Sequence, residues 1–151
     1  MARRTDFQDL AQLRITEAQT LLDHHLPDGA FYLAGYAVEC ALKAAICKTL
    51  GIDDFFEPNT AKTHSAKVRD DVLQKFKTHD YGTLLALSGL YYTLEAAVAT
   101  DLDFSDAWAV IRRATWTEQY RYETALRKGS AEVRSFIKAI NIFLQWIRTY
   151  W

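Results

Sequence analysis

The sequence predicts an all-α fold. Apolar residues recur at three- and four-residue spacing through most of the chain, and apolar–polar alternation never persists beyond a few positions. Two prolines and six glycines in 151 residues are too few for turn-rich β architecture or for a disordered chain. Half the residues are hydrophobic, so the length suits one domain, 1–151, with a substantial core. No internal repeat or low-complexity tract divides it.

The first helix is expected from a cap at Thr5 or Asp6 to about His24, with Phe7, Leu10, Leu13/Arg14, Ala18 and Leu21/Leu22 on its apolar face. Leu26-Pro27-Asp28-Gly29 breaks it. A second helix follows through GAFYLAGYAVECALKAAICK to about Leu50, where Gly51 ends it. Gly51 to Lys62 reads as a loop. Thr63 or Ser65 caps a third helix bearing Val68, Val72, Leu73 and Phe76. After Asp80-Tyr81-Gly82, one helix is expected from Leu84 to Ala99, with Leu87, Leu90, Tyr91, Leu94 and Val98 apolar. Asp101 to Asp106 is read as a connection with Ser105 as cap, leading into a short helix to Arg113. ATWTEQYRYETALRKGS is irregular, and Ser130 caps a long last helix.

That last helix carries two apolar stripes. Val133, Phe136/Ile137, Ile140, Leu144, Ile147 and Trp151 form one; Ala139, Phe143, Trp146 and Tyr150 form the other. A surface helix needs only one. Two stripes imply either a central place in the bundle or a partner chain, for which a symmetric dimer is the commonest solution.

The formal net charge of −1 conceals an asymmetry. From Arg112 onward, eight basic residues face three acidic ones, a net of +5, while the remainder holds ten against sixteen, a net of −6. The total does not indicate a uniformly basic nucleic-acid binder, but the asymmetry permits an anionic ligand near the C-terminal half. Cys40 and Cys47 lie two turns apart on one helix, about 10 Å along its axis, beyond the roughly 7 Å that a disulfide spans. They read as small buried hydrophobes of a reducing compartment. MARRTDFQDL carries positive charge without an apolar core, so no signal peptide is expected and the localisation reads as cytoplasmic.

Ala30 to Cys47 is an 18-residue run, apolar or glycine except for Glu39 and Lys43. Its length suits a membrane span, but a charge near the bilayer centre costs at least about 2.5 kcal/mol, so no membrane is expected. The run is read instead as the central rod of the bundle. Glu39 precedes Lys43 by four, the favourable order for a helical ion pair. The pair either lies on a narrow solvent-facing strip or lines a cleft that receives a partner.

With Tyr36, Glu39, Leu42 and Lys43 forming a Tyr-x-x-Glu-x-x-Leu-Lys core, this stretch resembles the second helix of HEPN domains, small helical modules found beside nucleotidyltransferases and in defence systems. Trp116 followed by Tyr120-Arg121-Tyr122, and a final helix of the form VRSFIKAINIFLQWI, extend the resemblance over most of the chain. It implies an up-and-down bundle of about five helices, often homodimeric. It also implies a role of toxin–antitoxin or defence type in nucleotide or RNA binding, RNA cleavage, or pairing with a nucleotidyltransferase. HEPN ribonucleases carry an arginine, a polar residue, and a histidine four to six positions on. Here Arg121 is followed by Tyr122-Glu123-Thr124-Ala125-Leu126-Arg127-Lys128, and no histidine occurs after His79. Metal-independent cleavage requires a proton carrier near neutral pH and a cation on the phosphate. Arg121 supplies the second; nothing near it in sequence supplies the first.

The expected function is therefore a non-catalytic binding module. Arg121 holds an anion, Trp116, Tyr120 and Tyr122 offer stacking surfaces, and Glu39 and Lys43 line the neighbouring cleft. The alternatives are a ribonuclease with a rearranged site, His64 or His79 replacing the missing histidine, and a purely structural helical bundle. His24-His25 diverge by about 100° on a helix and do not share a site. No metal-ligand spacing, phosphate-binding glycine loop or nucleophile motif is present, so no metal and no cofactor are expected.

Overall fold

The computed structural model describes residues 3–57 and 63–151. These residues form seven α-helices and one 3-10 turn, with no strand among them: α1 (Arg4–Asp23), α2 (Pro27–Leu50), α3 (His64–Phe76), α4 (Tyr81–Leu87), α5 (Tyr91–Thr100), α6 (Leu102–Arg113), the 3-10 turn (Glu118–Tyr122) and α7 (Ser130–Ile147). The loop read over Gly51 to Lys62 is described as far as Glu57; the rest of it lies outside the described residues.

α2 is the centre. α1 lies along it in the most extensive contact between any two elements, and α7, α4 and the 3-10 turn also pack on it. By length and composition α2 is apolar enough to cross a membrane, yet 78 % of its most apolar window is buried within the protein. Pro27 occupies its first turn, where the missing N–H costs nothing, and Gly51 ends it in the left-handed conformation at φ 67°. Ala30, Ala34, Ala37, Ala41, Ala44 and Ala45 are all fully buried, so neighbouring helices approach the α2 backbone closely on several sides. Cys40 and Cys47 are free and buried in α2. Burial pushes their thiols up to about 12 and about 11, so neither is a reactive thiolate at neutral pH.

Several boundaries differ from the expectation, each for a local reason. α1 begins one residue before Thr5, and Asp6 acts from inside the first turn, accepting the Arg3 N–H at 3.0 Å. Its buried face is Phe7, Ala11, Ile15, Ala18 and Leu22, while Leu13 is 48 % exposed. α3 is capped by Thr63, whose hydroxyl accepts the Ala66 N–H at 3.1 Å, but Val68 and Val72 face solvent and Ala66 and Leu73 are the buried residues. The expected helix over Leu84–Ala99 is two helices. Gly89 takes φ +75°, and the Ser88 carbonyl before it accepts the Thr49 hydroxyl of α2 at 2.7 Å, so the chain turns there. α6 starts at Leu102 because Asp101, not Ser105, caps it by accepting the Phe104 N–H at 3.0 Å. Ser130 is the first residue of α7 rather than its cap, which is Gly129.

Both stripes of α7 are covered within the chain. Val133, Phe136, Ile137, Ile140, Leu144 and Ile147 are buried, and the second stripe meets α6: Trp146 packs against Phe104 with ring centres 5.0 Å apart, and Phe143 against Trp108 at 5.7 Å. Packing of α7 on α2 and α1 on one side and α6 on the other accounts for the two-sided pattern, with Trp146, Tyr150 and Trp151 left half-buried.

Trp116 joins the irregular segment to the rod. Its ring lies directly over Gly35, where an added Cβ would stand 2.1 Å from Nε1. Nε1 donates to the Tyr32 carbonyl at 3.1 Å. Replacing Gly35 by alanine must therefore displace the indole, and Gly35→Ala is expected to lower stability by about 2–3 kcal/mol in a denaturant titration. A smaller loss than Ala→Ser at a surface position would show that the ring moves freely.

Candidate functional site

The site grows from one face of α2. Tyr32, Tyr36, Glu39 and Lys43 follow one another at three- and four-residue steps, so they form a polar and aromatic ridge on an otherwise apolar helix. Glu39 is 3 % exposed. Its two carboxylate oxygens are separately engaged: Oε1 accepts Lys43 Nζ at 2.6 Å, and Oε2 accepts His79 Nδ1 at 2.9 Å. The pair is thus not on a solvent-facing strip. It sits beneath the segment between α3 and α4, which carries His79 over it, and Lys43 Nζ also lies 5.6 Å from the centre of the Phe56 ring.

A carboxylate only accepts, so His79 Nδ1 carries the hydrogen and Nε2 is the nitrogen left for other work. Nε2 has no hydrogen-bond partner among the described residues, and the His79 side chain keeps 35 % exposure. The sequence offers His79 beside His64 as a replacement for the missing histidine, but spacing does not reveal its contact with Glu39. Its partner is forty positions away, and the only available signal was that a carboxylate in so apolar a helix needs more than one donor.

Aromatic rings wall the site. Tyr81, at the start of α4, stacks on Trp116 at 5.4 Å with planes 2° apart, and its hydroxyl donates to the Gly35 carbonyl at 2.7 Å. Tyr36 meets Trp116 edge-on at 5.3 Å and Tyr32 at 5.2 Å. The Tyr36 hydroxyl is held well above the ordinary tyrosine range, first by burial, then by Tyr32 and the Glu39 carboxylate, with Arg121 acting in the opposite sense. Tyr36 therefore feels both charged centres and links the Glu39 cluster to the 3-10 turn. At the same turn, Glu118 is held below the usual carboxylate range, mainly by the Gln119 side chain, with a lesser contribution from His79.

The residues singled out in the sequence divide in two. Trp116 is 8 % exposed, stacked on Tyr81 and pressed on Gly35, so it is a wall and not an open stacking platform. Tyr120 is half-buried against Phe31, ring centres 5.8 Å apart, and its hydroxyl donates to the Thr115 carbonyl. Arg121 and Tyr122 do reach solvent. The Arg121 guanidinium lies 4.9 Å from the Tyr122 ring centre, Tyr122 is 70 % exposed, and Arg121 has no carboxylate within 4 Å among the described residues. His64 heads α3, exposed, and forms no part of this cluster.

Asp28 holds the segment that follows. From the first turn of α2 its carboxylate accepts the backbone N–H groups of Leu126, Arg127 and Lys128 at 2.9, 3.3 and 2.8 Å. Arg127 takes φ +56°, which turns successive N–H groups toward one anion. Lys128 Nζ lies 4.2 Å from the centre of the Phe31 ring. The bond from the Lys128 N–H is the chief reason the Asp28 carboxyl lies below its usual range, opposed in part by burial.

Arranged this way, the site offers an exposed guanidinium on an aromatic ring, a buried carboxylate fixing an ammonium and an imidazole, and a phenol between them. Anion capture and proton exchange are the chemistries these groups support. Among the described residues no group of three or more His, Cys, Asp or Glu side chains is arranged to hold a metal ion. Comparison with protein-family models, with curated proteins and with solved structures returns no match to this chain.

Two outcomes follow. Glu39→Ala leaves Lys43 buried without its anion and is expected to cost about 3–5 kcal/mol, and adding Lys43→Met should recover most of that loss in a double-mutant cycle read by chemical denaturation. Because folding depresses the Asp28 value, its stabilisation is complete above the unfolded carboxylate's value of about 3.9 and disappears as pH falls through the folded value. Comparing acid unfolding of Asp28→Asn with that of the parent should show a shallower loss below pH of about 4 in the variant.

Proposed function

We propose that this chain is a HEPN-like binding module that takes an anionic, base-bearing ligand, a nucleotide or RNA, at the exposed face of the 3-10 turn that packs on α2. The observation that carries this reading is the exposed Arg121–Tyr122 pair. A guanidinium without an ionic partner among the described residues supplies charge for phosphate, and the exposed ring beside it supplies a stacking surface. Tyr120 packs the same turn on Phe31, Trp116 lies between Tyr81 and Tyr36, and Tyr36 feels both the Glu39 carboxylate and Arg121. The central aromatic and alanine-rich rod agrees with the family resemblance and supports its bundle architecture. Homodimerisation, pairing with a nucleotidyltransferase, a cytoplasmic setting and a toxin–antitoxin or defence role belong to the same proposal.

A thermal-shift series with nucleotides and short RNAs tests it. A ligand at 100 times its dissociation constant stabilises the fold by about 2.7 kcal/mol, and Arg121→Ala should abolish that gain while leaving the unliganded midpoint unchanged. No shift with any nucleotide or RNA, or a shift that survives Arg121→Ala, counts against the reading.

One observation favours a second function. His79 is an imidazole held by a buried carboxylate at 2.9 Å, the support that a general acid or base requires, and it helps hold Glu118, in the 3-10 turn that carries Arg121, below the usual carboxylate range. A ribonuclease with a rearranged site would use His79 in place of the missing histidine. Incubation of the purified chain with RNA decides between the two. Cleavage abolished by His79→Ala establishes catalysis, whereas intact RNA with Arg121-dependent binding leaves the module non-catalytic.

A further inference from the structure

A hollow of about 510 Å³ opens between α4, α5 and α6, where the turn at Ser88-Gly89 parts the first two. Small-molecule sites span about 300–1,000 Å³, so this one is large enough to hold a ligand. Leu85 of α4, Leu94 and Val98 of α5 and Trp108 of α6 supply its apolar lining. Leu85 and Leu94 belong to the buried core, and the Trp108 ring is stacked on Phe143 of α7. These walls are therefore set before a ligand arrives, which lowers the cost of binding. A second hollow of about 200 Å³ continues from the first past Gly82, Trp108 and Arg112, which line both, and ends on Tyr81 and Trp116. Neither Arg121 nor Tyr122 lines this cleft, so it is distinct from the nucleotide surface proposed above.

Gly82 keeps the passage between the two hollows clear. It stands in the first turn of α4 without a left-handed backbone, and a Cβ there would meet nothing nearer than Asp80 Oδ1 at 3.4 Å. Neither backbone conformation nor packing requires glycine at this position, and glycine weakens a helix relative to alanine. What a side chain would take away is open space in the cleft.

The charged groups around that space are two, and opposite. Glu95 of α5 and Arg112 of α6 both line the larger hollow, and neither has an ionic partner within 4 Å among the described residues. They are too far apart to pair with each other. Both act on Tyr91 all the same: Glu95 is the main cause that holds its hydroxyl above the ordinary tyrosine range, and Arg112 works in the opposite sense. A purely anionic guest would set its charge beside Glu95 as well as Arg112, and a purely cationic guest would meet the converse penalty. A guest that carries both charges on neighbouring atoms satisfies both residues.

We propose that this cleft binds a free α-amino acid with a large apolar side chain. Its carboxylate lies on the Arg112 guanidinium, its ammonium on the Glu95 carboxylate, and its side chain against Trp108, Leu85 and Leu94. An amino acid with a small side chain gains the same two ionic contacts but buries little apolar surface, so the walls select for size.

NMR titration of the isotope-labelled full chain with L-phenylalanine tests this, the Trp108 indole signal being assigned through Trp108→Phe. Phenylalanine and leucine are expected to shift that signal saturably, and alanine to bind at least about tenfold more weakly. Phenylpropionate, which lacks the ammonium, and phenylethylamine, which lacks the carboxylate, should each bind at least about tenfold more weakly than phenylalanine, because each leaves one charge unmatched. Arg112→Gln should erase the advantage of phenylalanine over phenylethylamine, and Glu95→Gln its advantage over phenylpropionate. Gly82→Leu, with its helices verified by circular dichroism, should abolish binding. Absent or unsaturable shifts with phenylalanine and leucine overturn the proposal. So does equal binding of phenylpropionate or phenylethylamine, which would mark an unselective apolar groove, or an Arg112→Gln or Glu95→Gln chain that binds phenylalanine as the parent does.

Discussion

Glu39 sits where a carboxylate is costly. It is a charge inside the most buried helix of the protein, and much of the local architecture is the means by which that charge is satisfied. Removing an ion from water costs several kcal/mol even after relaxation, so an unengaged carboxylate at 3 % exposure would not survive in the ionised form. Lys43 provides one donor from the same helix, with its ammonium 5.6 Å from the centre of the Phe56 ring. His79 provides the other from a segment far away in sequence. The stretch between α3 and α4 is thereby fixed over α2, and with it Tyr81, which starts α4 and stacks on Trp116. The ion cluster and the aromatic wall are two parts of one assembly.

Close packing against α2 is the second condition. Alanine on most of its sides and glycine at position 35 let neighbouring groups reach its backbone, where Tyr81 donates to the Gly35 carbonyl and Trp116 to that of Tyr32. These bonds go to carbonyls already inside a helix, and they are possible because no Cβ stands in the way. The Trp116 ring then delivers the 3-10 turn to the same edge of the rod, and Asp28 gathers the backbone beyond it. Arg121 and Tyr122 are exposed because their neighbours are tied down on both sides. Rigidity beneath and exposure above is the arrangement a binding surface needs, since a loop already ordered loses less entropy when it takes a ligand.

Charge is distributed by the same logic at a larger scale. Asp53 and Asp54, in the loop after α2, are paired with Arg4 and Arg69, whereas Asp103, Asp106, Arg113 and Lys138 on α6 and α7 have no ionic partner within 4 Å among the described residues. Exposed pairs of the first kind add little stability. Unpartnered charges ranged along an apolar groove matter more for recognition, because they favour one orientation of whatever docks there and penalise the others.

The residues alone determined the helical class, the central rod, its stop at Gly51 and the separation of the two cysteines. All of these depend on periodicity or on a single residue's conformational preference, which act within a few positions. Arg121 and Tyr122, offered together with Trp116 as one surface, are exposed, whereas tertiary packing presses Trp116 between Tyr81 and Gly35. The break at Ser88-Gly89 was hidden because apolar spacing runs through it, and the bond from Thr49 that turns the chain comes from another helix. Only the three-dimensional structure decided that Glu39 is buried, that His79 reaches it, and that α6 covers the second stripe of α7. Each of those is a contact between segments distant in the chain, and no local pattern encodes the distance between two side chains that folding alone brings together.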